Sequence, residues 1–86
     1  MKSFKGKVAI VTGGASGIGR AMCTQLAAAG SSVIAADINL DGAKETVDLI
    51  LLNSGKGEAV SLNVTDLDAF DALFQRIKTQ YGHIDY

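Results

Sequence analysis

Gly13, Gly17 and Gly19 lie in the stretch Lys7 to Arg20, KVAIVTGGASGIGR, whose spacing suits one kind of chemistry: holding a phosphate group. Val8, Ala9, Ile10 and Val11 form a short continuous apolar run, the pattern of a parallel strand covered on both faces. The glycine turn follows at once, and beyond it Ile18, Met22 and Leu26 recur at helical spacing. A helix N-terminus carries unpaired N–H groups and about half a positive charge, so an anion is its natural guest. Glycine removes the Cβ atoms that would keep a pyrophosphate away from the backbone. Without the strand before it and the helix after it, the same spacing would mark no more than a turn.

A second candidate is Asp37, which closes the apolar run Ser32–Asp37 eighteen residues after Gly19. A carboxylate there can accept hydrogen bonds from both hydroxyls of an adenosine ribose, each worth roughly 1.5–3 kcal/mol. The same charge opposes a 2′-phosphate: like charges ~4 Å apart cost roughly 1–4 kcal/mol. The neighbouring positions are Ser16 and Ile38, neither of them basic. Arg20 follows the last glycine, where helix geometry directs it away from that ribose. These residues favour NAD over NADP. The alternative role for Asp37 is to cap the loop into the next helix. Tyr81 and His83 belong to no nucleophilic or metal-binding set, and Cys23, the single cysteine, reads as a small half-buried thiol.

These groups need elements to position them. The pattern predicts strands at Lys7–Thr12, Ser32–Asp37 and Ala59–Asn63, with helices at Ile18–Ala29 and Leu40–Leu52. A third helix opens at Thr65, whose hydroxyl is the expected cap, and runs to Gly82. Ala43, Val47, Ile50 and Leu51 form the inner face of the second helix. Leu67, Phe70, Leu73, Phe74, Ile77 and Tyr81 form the stripe of the third. Ile84–Tyr86 begins like a fourth strand. Strand and helix alternating at this spacing imply an α/β fold with a parallel sheet. The expected strand order is 3-2-1, with the first two helices on one face and the third crossing to the other. With the fourth strand truncated, the outer edge of strand 1 is expected to be open, a surface for self-association or pairing.

The chain has 86 residues, 48% of them hydrophobic, with ten glycines and no proline. That is one small domain, burying only about 60–65% of its unfolded surface. A net charge of −1 offers nothing to attract nucleic acid or an anionic membrane. No apolar run approaches the ~18 residues of a membrane span and no signal peptide is visible, so a cytoplasmic protein is expected. Ser3 and Lys5 fall in a loose N-terminal segment.

With Thr12 before the glycines and Ile18 between the last two, the loop resembles that of the short-chain dehydrogenase/reductase family. The resemblance spans essentially all 86 residues, through NVTD to YGHIDY, and covers the N-terminal portion of such a protein. It implies that residues 1–86 are an incomplete, partial Rossmann-type dinucleotide-binding domain. The cofactor-binding residues it implies are Gly13, Ser16, Gly17, Ile18, Gly19, Asp37, Ile38, Asn63 and Val64. Asn63 stands where the family usually has Asp contacting the adenine amino group; its side-chain carbonyl can accept the same bond, or it is a turn residue. The resemblance also implies hydride transfer between a nicotinamide cofactor and an alcohol or carbonyl. The family's catalytic Ser, Tyr and Lys have no counterparts here: Tyr81 is followed four residues later by Asp85, and Tyr86 ends the sequence. The alternative is a non-catalytic module that binds nucleotide or pairs with another subunit.

Overall fold

The structure, a computed structural model, describes residues 4–86; Ser3 lies outside the described residues. The elements run β1 (Val8–Thr12), α1 (Gly17–Ala28), β2 (Ser32–Asp37), α2 (Leu40–Leu52), β3 (Lys56–Ser61) and α3 (Leu67–Tyr81). All three strands are parallel, with β2 in the middle, in the order β1-β2-β3. Val33 and Ala35 of β2 face one way, into a core with Cys23 and Ala27 of α1 and Ala43, Val47 and Ile50 of α2. Ile34 and Ala36 face the other way, against Leu73 and Ile77 of α3. Every side chain of β2 from Val33 to Ala36 is therefore buried, the condition of a parallel strand covered on both faces.

β3 begins three residues earlier than expected. Its register with β2 runs from Ser32 opposite Lys56 to Asp37 opposite Ser61. The sequence Lys-Gly-Glu conceals a strand because nothing in it is apolar. Gly55 and Gly57 are there for space: a Cβ on Gly55 would lie 2.7 Å from Ile50 Cγ2, and one on Gly57 3.1 Å from the Val33 carbonyl. At the end of β3 the chain stays on the sheet for one residue more, where Leu62 N–H donates to the Asp37 carbonyl (3.0 Å) and its side chain is buried.

The helices differ from expectation in their inner faces. α1 turns Cys23 and Ala27 to the sheet, while Ile18 is 82% exposed and Met22 about half exposed. Met22 and Leu26 lie beside β1, where they and Tyr86 border an apolar groove. Burial pushes the Cys23 thiol pKa up to about 11, so it is an inert core group. In α2 the buried set is Gly42, Ala43, Thr46, Val47 and Ile50; Leu51 is exposed. In α3 Leu67 is exposed, and Asp66, not Thr65, is the cap: its carboxylate accepts from Ala69 N–H at 3.1 Å.

The outer edge of β1 is not open along its whole length. Asp85 and Tyr86 lie beside it, with Asp85 N–H donating to the Val8 carbonyl (2.8 Å) and Ile10 N–H donating to the Tyr86 carbonyl (3.0 Å). Asp85 Oδ2 also accepts from Val8 N–H at 2.9 Å. Tyr86 makes an edge-to-face contact with Phe4, ring centroids 5.4 Å apart. The N–H and carbonyl of Val8 and the N–H of Ile10, expected to be available for self-pairing, are already bonded. No helix among the described residues is long and apolar enough to cross a membrane.

Candidate functional site

β1 ends at Thr12 and the chain turns through Gly13 and Gly17, both in the left-handed region (φ 73° and 59°) with open space where a Cβ would stand. A side chain would be strained at either position. Gly19 is required for a different reason: a Cβ there would overlap the carbonyl oxygen of Gly13. The first turn of α1 therefore lies directly against the end of β1. Gly14 lies tight against the sheet, since a Cβ on it would sit 3.0 Å from Ala35 Cβ and 3.3 Å from Cys23 Sγ.

The N-terminus of α1 is the least satisfied of the three. Asn39 caps α2 by accepting from Gly42 N–H (3.0 Å), with Asp41 in its first turn. Asp66 caps α3, with Asp68 in its first turn. At α1 the N-cap is Ser16, whose side chain makes no capping bond, and no acidic residue stands in the first turn. Its leading N–H groups and its dipole are left for an anion from outside.

Asp37 stands at the C-terminal end of β2, the central strand. Its Oδ2 accepts from Ala15 N–H (3.1 Å) and its Oδ1 from Asn39 N–H (2.9 Å). Each oxygen has a further lone pair, so the carboxylate both holds the glycine turn and retains acceptor capacity toward solvent. The cap of α2 is Asn39 rather than Asp37. Gly13, Asp37, Ile38, Leu62, Asn63 and Val64 line one cleft of about 190 Å³ at the C-terminal ends of the strands. Five of the nine residues singled out in the sequence thus meet in a single depression. Its rim is aliphatic, with Ile38 and Val64 mostly exposed. Leu62, which sequence reading placed only within a strand, forms part of the floor. Ser16, Gly17, Ile18 and Gly19 open α1 alongside.

Asn63 serves the turn into α3. Its Oδ1 accepts both Thr65 N–H (3.0 Å) and the Thr65 hydroxyl (2.7 Å), so the oxygen expected to meet an adenine amino group is engaged locally.

Arg20, which the sequence directs away from the ribose, and Thr46, which it does not single out, hold the glycine turn from behind. The Arg20 guanidinium reaches across to α2, donating from Nη2 to the carbonyls of Ala15 (2.6 Å) and Gly42 (3.1 Å) and from Nε to Thr46 Oγ1 (2.9 Å). At the surface it pairs with Glu45 at 3.2 Å. The one available signal was Thr46, a hydroxyl among the apolar positions Ala43, Val47 and Ile50 of α2.

The profile of the short chain dehydrogenase family matches residues 7–86. The chain belongs to this family. It is 44% identical over 84 residues to the oxidoreductase YuxG of Bacillus subtilis, covering 95% of this chain and 12% of that protein. It is 39% identical over 83 residues to the 3-oxoacyl-[acyl-carrier-protein] reductase FabG of Salmonella typhimurium, covering 96% of this chain and 33% of that one. Among solved structures, a metagenomic short-chain oxidoreductase in complex with NADP superposes with a TM-score of 0.94 at 26% identity. That match covers 98% of this chain and 38% of the other. The chain thus spans a third or less of the curated relatives it matches.

Within the family fold, Tyr81 closes α3 and packs on the core formed by Leu73 and Ile77. Burial raises its hydroxyl pKa and the charge of Glu58 adds to that, the reverse of what a tyrosine exchanging protons near neutral pH needs. A larger groove, about 490 Å³, runs between α1 and α2 past Thr24, Gln25, Leu49, Asn53 and Gly55. No charged side chain among the described residues lines it, and it lies at the opposite end of the helices from the glycine turn.

Proposed function

We propose that this chain is the NAD(H)-binding, N-terminal portion of a short-chain oxidoreductase, with NAD preferred over NADP. The reading is carried by one observation: Gly13, Asp37, Ile38, Asn63 and Val64 line one cleft beside the uncapped N-terminus of α1. The residues fit such a guest. The contact of Gly19 with the Gly13 carbonyl and the open space over Gly13 and Gly17 make a cradle that a Cβ would fill or strain. The leading N–H groups of α1, at Gly17, Ile18 and Gly19, receive the pyrophosphate. Asp37 accepts from the ribose hydroxyls with the lone pairs left over from Ala15 and Asn39. Ile38 and Val64 supply apolar walls for the adenine, and Ser16 at the N-cap offers its uncommitted hydroxyl.

When bound, the nicotinamide would supply the hydride-carrying centre for an alcohol or carbonyl substrate. The residues of this chain bind and orient; none is assigned to proton transfer. A cytoplasmic location belongs to the same proposal, in keeping with a single unpaired cysteine. The relative that holds NADP makes cofactor preference the point to test, because the Asp37 charge argues for NAD here.

Calorimetry of the purified chain with NAD and with NADP tests the reading, using Asp37→Ala alongside. NAD is expected to bind at least about fivefold more tightly than NADP, from the like-charge cost of roughly 1 kcal/mol or more at the ribose. Asp37→Ala is expected to weaken NAD and narrow that gap. Equal affinities in the wild-type chain, or an Asp37→Ala variant that binds NAD as well as wild type, would overturn it.

A further inference from the structure

The dipeptide Gly14–Ala15, on the inner side of the glycine turn, has all four of its backbone polar groups bonded to residues beyond the dipeptide. Gly14 N–H donates to the Ala36 carbonyl (3.2 Å) and Ala15 N–H to Asp37 Oδ2 (3.1 Å). Those two partners belong to β2, which the sheet holds on both sides. The Gly14 carbonyl accepts from Thr46 Oγ1 (2.6 Å), and the Ala15 carbonyl from Arg20 Nη2 (2.6 Å). Neither of these partners is in the sheet. They are joined to each other, because Arg20 Nε donates to Thr46 Oγ1 at 2.9 Å. A hydroxyl has one proton and two acceptor sites. With Arg20 supplying a donor to the oxygen, the Thr46 proton is directed outward from it, and its shorter contact is to Gly14 rather than to the Gly42 carbonyl at 3.2 Å.

Packing supports the same connection. Thr46 is fully buried. Gly42 lets α2 come up against the turn, since a Cβ on it would stand 2.8 Å from Ala15 Cβ. A buried carbonyl left without its donor loses more than the net worth of the bond, so the Gly14 peptide is sensitive to what α2 presents.

We infer that Thr46 and Arg20 are positioning residues for the anion-binding turn. They fix the Gly14–Ala15 dipeptide from the α2 side, so that the peptides from Gly17 to Gly19 are aimed outward at the entrance of α1. This inference rests on the reading of the turn as a pyrophosphate cradle. It adds that the affinity of the cradle is set partly by a helix that touches no phosphate.

The test uses Thr46→Val, which keeps the branched shape without the hydroxyl, and Thr46→Ser, which restores the hydroxyl. Amide hydrogen exchange of the nucleotide-free chain reads the turn directly. Thr46→Val is expected to speed exchange at Gly14 and Ala15 about tenfold, the equivalent of one lost buried hydrogen bond, while the α3 amides at Leu73 and Ile77 stay close to wild type. Thr46→Ser is expected to restore the slow exchange. NAD affinity by calorimetry should fall about tenfold in Thr46→Val and recover in Thr46→Ser. Acceleration shared equally by α3, or none at Gly14 and Ala15, would overturn the inference, as would a freed turn that binds NAD with wild-type affinity. If the wild-type chain binds no NAD while Thr46→Val still frees the turn selectively, the cofactor reading falls and the positioning role stands. Should Thr46→Val fail to fold, Arg20→Gln, at the more exposed end of the pair, is judged by the same two measurements against Arg20→Lys.

Discussion

Gly19 has less freedom than any other residue of the turn, because the space a Cβ would take already holds the Gly13 carbonyl. Gly19→Ala must push the turn and the end of β1 apart. It is expected to destabilise the chain by about 1–3 kcal/mol, the usual cost of overpacking, and to abolish nucleotide binding. Gly13→Ala has room for its methyl but must hold φ near 73°, so it should lose about 1–2 kcal/mol without any displacement. Denaturant titration of both variants, paired with NAD calorimetry, separates steric displacement from backbone strain. Equal effects on binding would remove the distinction. The glycines and Asp37 were legible in the sequence because their roles follow from residue type and near-neighbour spacing. Thr46 was not, since the carbonyl it serves is 32 positions away. Asn63 was legible as a turn residue or as an adenine contact, and the local claim of Thr65 on its oxygen could not be read from the order of residues alone.

At the level of elements, helix ends are decided by which side chain reaches the exposed N–H groups. For α3 that is Asp66, whose carboxylate accepts from Ala69 N–H; the hydroxyl of Thr65 points back to Asn63. Asp66→Ala should therefore cost about 1 kcal/mol, whereas Thr65→Ala should cost a few tenths, as for an exposed substitution (about 0.5 kcal/mol or less). Thermal unfolding of the two variants checks the order, and a larger loss for Thr65→Ala would contradict it. The number and order of the elements were readable because alternating strand and helix patterns admit few parallel arrangements. The limits of β3 were not readable, because they depend on the register with β2 and on glycines that make room for Ile50. The inner face of α1 was not legible for a related reason. Periodicity finds the largest apolar residues, and here the sheet takes the small ones, Cys23 and Ala27, leaving Ile18 and Met22 outside.

Across the whole molecule, Asp85 ties the last residues to the first strand. Its carboxyl is held below the ordinary carboxylate range chiefly by the Val8 N–H, with the nearby His83 assisting. A depressed value in the folded state means that the contribution to stability is present above the unfolded value, about 3.9, and is lost as pH falls through the lower folded value. Wild type and Asp85→Asn should therefore differ in stability at neutral pH and converge as the solution is acidified below pH ~4. A gap that persists unchanged in acid would exclude this carboxylate as its source. The central strand ties packing and chemistry together in another way. Val33 and Ala35 look toward α1 and α2, Ile34 and Ala36 toward α3, and Gly14 rests almost on Ala35. A slip of β2 by one residue would exchange the two sets, either driving Ile34 into the place of Ala35 or leaving Ala35 in the place of Ile34. The same slip would replace Asp37 at the mouth of the cleft with Ala36 or Ile38. Misregistered chains would thus be penalised by overpacking or by a cavity before they could present the wrong group to a ligand, and any molecule that closes its core correctly has its carboxylate in place.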